Sequence, residues 1–183
     1  NPDPHLKWLG KSLMAHQDGT LRIPQVHALT DHLPELESLA ERARAATSVR
    51  CITHRDFHLR NLLIRKQDHA YGIDMENAAR DEAMRDLLLF LADTARATAE
   101  PPSAESLHLT AAALRAAYSS SPADPDAGAF FQRAFALNLW AALDDSPAGL
   151  TPKLQRSLQT AQALLTCGDL FPDPASPNHT AKI

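Results

Sequence analysis

One eight-residue stretch, His54-Arg55-Asp56-Phe57-His58-Leu59-Arg60-Asn61, carries the residues best placed to do chemistry. Asp56 offers a carboxylate that can orient a hydroxyl and take its proton. Asn61, five places on, offers a neutral amide oxygen to a hard cation. Those are two requirements of phosphoryl transfer, which is catalysed almost wholly by positioning and charge stabilisation. A short loop between two strands can hold both.

A third oxygen ligand follows in order. Leu62-Leu63-Ile64 reads as a strand, Lys66-Gln67-Asp68-His69 as a polar turn and Ala70-Tyr71-Gly72-Ile73 as the return strand. The return strand delivers Asp74, ahead of Met75 and Glu76. A carboxylate there faces the loop and suits Mg²⁺ on a triphosphate.

The flanking segments must position this hairpin, and they read as helices. Leu6, Leu9, Leu13 and Met14 recur at helical spacing up to Gly19. Pro24 and His27 fall in a connector. Asp31 is placed to cap a helix with the stripe Leu36, Leu39, Ala40 and Ala43. Val49 to Thr53 reads as a strand into the loop. Ala83 to about Ala99 is a strong helix that Pro101-Pro102 ends. Ser103 can cap the next, with Leu107, Ala111, Leu114 and Tyr118 on one side. Ser119 to Asp126 is a loop by composition. A further helix carries Phe131, Phe135, Asn138, Leu139 and Trp140. Thr151-Pro152 is a cap followed by Pro at the first helical position, and Gly168 ends that last helix. From Phe171 on, three prolines suggest an irregular tail.

Composition narrows the class. The 183 residues suffice for one domain with a core, and neither an internal repeat nor a domain-scale linker is visible. A net charge of −4 gives no reason to expect a nucleic-acid partner. Two cysteines, Cys51 and Cys167, cannot build a disulfide framework, and no signal peptide is visible, so a cytoplasmic location is expected. No membrane association is expected either. The longest apolar run, Leu87 to Ala92, is far short of the ~20 residues a bilayer span needs.

His-x-Asp-x-His-x-x-Asn, then Ile-Asp-x-Glu, then a downstream Asp-Leu resembles the aminoglycoside phosphotransferase and choline kinase superfamily, whose members are protein-kinase-like in fold and mostly phosphorylate small molecules. His58 supports that branch, because protein kinases usually carry Lys at the position. The wording of the loop is also similar to sugar kinases that act on N-acetylmuramate and related cell-wall sugars.

The resemblance implies a role for each matched residue. Asp56 is the catalytic base or hydroxyl-orienting group. Asn61 and Asp74 are Mg²⁺ ligands. His54 props the loop, His58 stands at the branch-defining position, Glu76 lies near the metals, and Asp86 of Arg85-Asp86-Leu87-Leu88 anchors the loop from the following helix. Asp81 stands near the family's Gly-Asp-Pro, but its neighbours Arg80 and Glu82 replace the Gly and Pro. The implied activity is ATP- and Mg²⁺-dependent transfer of the γ-phosphoryl group to a hydroxyl of a sugar, aminoglycoside or amino-alcohol. The implied fold is α+β and mainly α-helical: a protein-kinase-like C-terminal lobe, residues 1–183, with a small β-hairpin carrying the catalytic loop. The acceptor's pocket is expected between that loop and the helices from Ser103 to Cys167.

The pattern of the N-terminal lobe is not found. Neither a Gly-x-Gly cluster nor a Val-Ala-Ile-Lys strand precedes the loop, and only 53 residues stand before His54. The chain therefore reads as the C-terminal lobe of a longer or truncated protein. Two rival functions follow. One is a catalytically inactive, regulatory or scaffolding kinase-like module. The other is a protein Ser/Thr kinase, against which stand His58 in place of Lys and the absence of Ala-Pro-Glu.

Plainer readings compete at several positions. The His54/His58 pair invites zinc, but the segment reads as a loop and His-Glu-x-x-His is absent. His69 reads as a solvated turn residue, Asp81 as a helix cap and Met75 as buried packing. Phe131, Phe135 and Trp140 read as core. Glu35, Glu37, Glu41, Arg42 and Arg44 read as a solvated helix face.

Overall fold

Leu36, Leu39, Ala40 and Ala43 recur every three or four residues, and all four are buried in one helix. That stripe is one wall of the core. The computed structural model describes residues 1–46, 50–65, 69–116, 124–146 and 148–172. The chain opens with α1 (Asp3–Gln17), α2 (Val26–Thr30) and α3 (Leu33–Ala45). Four short strands follow: β1 (Arg50–Thr53), β2 (Leu62–Arg65), β3 (His69–Gly72) and β4 (Ala79–Glu82). Then come α4 (Ala83–Ala97), α5 (Ala104–Ala116), α6 (Pro125–Ala141) and α7 (Pro152–Thr166). The fold is thus mainly helical with small two-stranded sheets, as an α+β reading requires.

Helix α6 is the central element and packs against α7, α3, α1, α4 and α2. Its Phe130, Leu137 and Trp140 are essentially inaccessible to solvent. Trp140 Nε1 donates to the Pro24 carbonyl at 2.7 Å, so the indole is buried without an orphaned donor. Gln132, also buried, donates to the carbonyls of Leu164 and Gly168 and accepts the Leu170 N–H. Those bonds hold the end of α7 and seat Leu170 and Phe171 in the core. Phe171, expected to open an irregular tail, is only 2 % exposed; residues 173–183 lie outside the described residues.

Local chemistry sets most helix ends. Thr151 Oγ1 accepts the Leu154 N–H and Pro152 starts α7. Gly168 follows α7 with φ +76, a left-handed position suited to Gly. Ser103 Oγ accepts the Ser106 N–H ahead of α5. Asp124 caps α6 by accepting from Asp126, so the helix begins inside the stretch read as a loop; 117–123, including Tyr118, lie outside the described residues.

Other expectations are corrected. Asp31 is the C-cap of α2, and His32 precedes α3 without a side-chain cap, Pro34 taking the first turn instead. His27 lies within α2. Met14 is 67 % exposed, because α1 turns its Leu9 and Ser12 side inward. His69 stands in β3, while 66–68 and Val49 lie outside the described residues. On α3, Glu35 pairs with Arg133 at 2.7 Å and Arg42 with Asp126 at 2.9 Å. All five residues of that face, Glu37, Glu41 and Arg44 included, are exposed as expected, and these two pairs also tie it to α6.

The strands form two antiparallel pairs. β2 pairs with β3, with Leu62 opposite Gly72 and Arg65 opposite His69. β1 pairs with β4, with Arg50 opposite Glu82 and Thr53 opposite Ala79. The first pair carries Asn61 and Ile73 at its open end. The second joins the chain before the loop directly to the start of α4.

Candidate active site

The loop from His54 to Asn61 hangs from one face of α4. The Asp86 carboxylate accepts two consecutive backbone N–H groups, His54 at 2.6 Å and Arg55 at 2.9 Å. Phe90, one turn on, stacks with Phe57, ring centroids 5.0 Å apart and planes 25° from parallel. Asp93, a further turn on, accepts the Leu59 N–H at 2.9 Å. Asp86, Phe90 and Asp93 share a helical face because their spacing is four and then three residues. Leu87, Leu88 and Leu91 point the other way, into the core. Arg96 holds the other Asp93 oxygen at 3.2 Å.

This suspension fixes an uncommon backbone. Arg55 has φ +67, a left-handed conformation that costs a non-Gly residue on the order of 1 kcal/mol or more. Charge-assisted bonds that the N–H groups on either side of the His54 Cα donate to Asp86 hold it there.

Asp56 and Asn61 meet across the loop. Leu59–Asn61 is a single 3₁₀ turn closed by the Asn61 N–H to the His58 carbonyl at 2.9 Å. It folds Asn61 back, 8 % exposed, so that its Nδ2 donates to the Asp56 carbonyl at 3.0 Å and to Asp56 Oδ2 at 3.3 Å. Both partners are acceptors, so the amide orientation follows: Nδ2 faces Asp56 and Oδ1 is turned away. The Asp56 side chain stays 46 % exposed. His58 lies beside it, with Nε2 3.5 Å from Oδ2.

Two hydrogen bonds place Asp74. The Ile73 N–H donates to the Asn61 carbonyl at 2.9 Å, and the Ile73 carbonyl accepts from His54 Nε2 at 2.7 Å. His54 is 5 % exposed and its Nδ1 is buried without a partner, so the Nε2–H tautomer is assigned by its bond. His54 therefore links the loop to the strand that ends in Asp74. Asp74 itself has φ +62 and ψ +51 and begins a 3₁₀ turn, Met75–Asn77. Asp74 and Glu76 are exposed. Met75, expected to be buried, is 50 % exposed on the same turn. Among the described residues no three His, Cys, Asp or Glu side chains are grouped so as to hold a metal ion.

Asp81 is part of β4, not a helix cap. Its Oδ2 pairs with Arg85 at 3.1 Å and Arg55 at 3.4 Å, and its Oδ1 accepts the Glu82 N–H. Arg55 thereby points away from Asp56 into a cavity of about 940 Å³, walled by Trp8, Arg50, Glu82, Phe131 and Phe135 among others. Phe131 and Phe135, read as core, pack with the core and also face this cavity, as does Asn138. Asp56, Asn61 and Asp74 do not line it, and neither α5 nor α7 contributes to its walls. A second cavity, of about 450 Å³, does lie between the loop and a later helix: it is lined by Arg60 of the loop, Asp93 and Arg96 of α4, and Pro152, Lys153 and Arg156 of α7.

Two features of the site were not anticipated. Strand β4 reads Ala-Arg-Asp-Glu, with no β pattern; it exists because β1 pairs with it. Phe90 and Asp93 carried a usable signal, since they lie four and seven residues beyond Asp86.

The model of the phosphotransferase enzyme family (APH) matches residues 2–131, and the chain belongs to that family. The match runs from α1 into α6 and takes in the whole loop, the hairpin and α4. No curated protein and no solved structure matches the chain. Among the described residues no helix is long and apolar enough to cross a membrane.

Proposed function

We propose that this chain is the kinase-like C-terminal lobe of an ATP- and Mg²⁺-dependent phosphotransferase that phosphorylates a hydroxyl group of a small molecule. One observation carries the reading. Asn61 is buried, and its amide is locked by Asp56 on a loop suspended from α4, while the Asp56 carboxylate remains open to solvent. A solvent-facing carboxylate beside a fixed amide oxygen is what transfer to a hydroxyl requires.

The donor set fits Mg²⁺. Asn61 Oδ1 is freed by the bonds that Nδ2 makes, and the exposed Asp74 carboxylate supplies one anionic oxygen. Two oxygen ligands completed by phosphate and water suit this hard ion. When bound, it supplies charge neutralisation on the nucleotide phosphates.

The side chains divide the remaining work. Asp56 orients the acceptor hydroxyl and takes its proton as the oxygen attacks the γ-phosphorus, with ADP as the leaving group. His58 lies against the Asp56 carboxylate and limits its rotation. His54 keeps Asp74 in register with Asn61. The acceptor class favoured is a sugar, aminoglycoside or amino-alcohol.

The test is phosphorus NMR of the natural full-length protein with ATP, Mg²⁺ and pools of sugars, aminoglycosides and amino-alcohols. The proposal expects ADP together with a new phosphomonoester signal. ATP left intact by every pool would sink it.

A further inference from the structure

Resting on the phosphotransfer reading above, we infer that Asp93 is the positioning residue for the metal-ligand half of the loop. Its carboxylate holds the Leu59 N–H and so fixes the turn that presents the Asn61 side-chain oxygen. The loop is pinned at two places by two different carboxylates of one helix. Asp86 takes the His54 and Arg55 N–H groups at the front. Asp93 takes Leu59 at the back, at 2.9 Å. Between them Phe57 rests on Phe90 by stacking, which resists sliding less than a directed bond does.

The back pin matters for the ligand because the turn is so short. Leu59 is its first residue and Asn61 its last. The bonds within it, such as Asn61 N–H to His58 O, set its shape but not its place over α4. The bond from Leu59 to Asp93 sets that place. Asp93 in turn is held by Arg96, the two side chains being 23 % and 27 % exposed, so the acceptor oxygen is not free to swing to solvent. Removing this pin leaves the Asp86 end, and with it Asp56, where it was. Asn61 keeps its bonds to Asp56 and Ile73 but loses the tie that fixes the start of its turn over α4.

Two independent substitutions break the same bond. Asp93→Ala removes the acceptor. Leu59→Pro removes the donor and leaves Asp93 and Arg96 untouched. Proline is tolerated there because Leu59 opens the turn and His58 before it is extended, at φ −135 and ψ 168. Asp93→Asn keeps an acceptor oxygen for Leu59 and loses only the ion pair with Arg96.

The experiment uses Mn²⁺ with ATP and the natural full-length protein, following the electron paramagnetic resonance of free Mn²⁺, with unfolding temperatures measured alongside. Asp93→Ala and Leu59→Pro are each expected to weaken Mn²⁺·ATP uptake about 10-fold or more, the scale of losing a residue that orients a metal ligand. Asp93→Asn is expected to stay close to wild type. Unchanged uptake by folded Asp93→Ala or Leu59→Pro would overturn the inference, even if the unfolding temperature fell, because that outcome is merely structural. Equal losses in Asp93→Asn and Asp93→Ala would overturn the role of the Leu59 bond. Wild-type protein that takes up no Mn²⁺·ATP would overturn the phosphotransfer reading itself, and the inference with it.

Discussion

The carboxylate of Asp86 and the backbone N–H of His54 lie 2.6 Å apart, and the second Asp86 oxygen takes the next N–H, that of Arg55. One side chain of α4 thus holds the front of the loop in a left-handed turn that arginine does not favour.

Asp86→Ala should therefore cost stability as well as activity. Two bonds to a charged acceptor are lost, at roughly 1.5–3 kcal/mol each before non-additivity, and the strained Arg55 is released. We expect a net loss of about 3 kcal/mol in urea unfolding, and a smaller one for Asp86→Asn, which keeps one acceptor. A variant Asp86→Ala as stable as the parent would show that the loop is held by other contacts.

Asp74 calls for a different substitution. Its φ of +62 would strain Ala, whereas Asn is tolerated there, so Asp74→Asn isolates the charge from the backbone. Losing one anionic oxygen should weaken Mg²⁺·ATP binding in the full-length protein. Calorimetric titration with Mg²⁺ and ATP reads this directly, and unchanged affinity would remove Asp74 from the metal site.

How much of this was legible follows from how local each cause is. The α3 stripe, the Thr151-Pro152 start of α7 and the Asp56–Asn61 spacing are set by residues a few places apart, so periodicity and spacing reveal them. Strand β4 is not local: Arg80 and Asp81 are extended because Ile52 and Cys51 pair with them. Phe171 comes after a helix-ending Gly and precedes Pro172, and it is buried where Gln132 and Arg115 hold Leu170. Met75 reads as apolar packing but sits on an exposed turn whose conformation Asp74 dictates. The spacing of Asp93 from Asp86 placed it on the loop-facing side of α4, but its partner, a main-chain N–H, leaves no trace in side-chain patterns.

His5 gives the fold a pH dependence. It lies edge-on to Phe130 and Phe131, at 5.9 and 5.6 Å, and burial lowers its pKa from the ordinary 6.5. The unfolded chain then binds a proton that the folded chain refuses. This contribution is complete above about pH 6.5 and is lost as the pH falls from there towards the folded-state value. Urea unfolding at pH 7.5 and 5.5 should show a smaller difference for His5→Gln than for the parent. Identical pH dependence in both would mean that His5 titrates alike in the folded and unfolded chains.

The central claim is that Asp56 handles the proton of the acceptor hydroxyl, and the turnover of Asp56→Asn in the full-length protein tests it most directly. Asn keeps an oxygen for the Asn61 amide, so the loop should stand. We predict that kcat falls by about 10²-fold or more while Mg²⁺·ATP affinity is retained, as expected for loss of a general base. Wild-type turnover by Asp56→Asn would contradict the account.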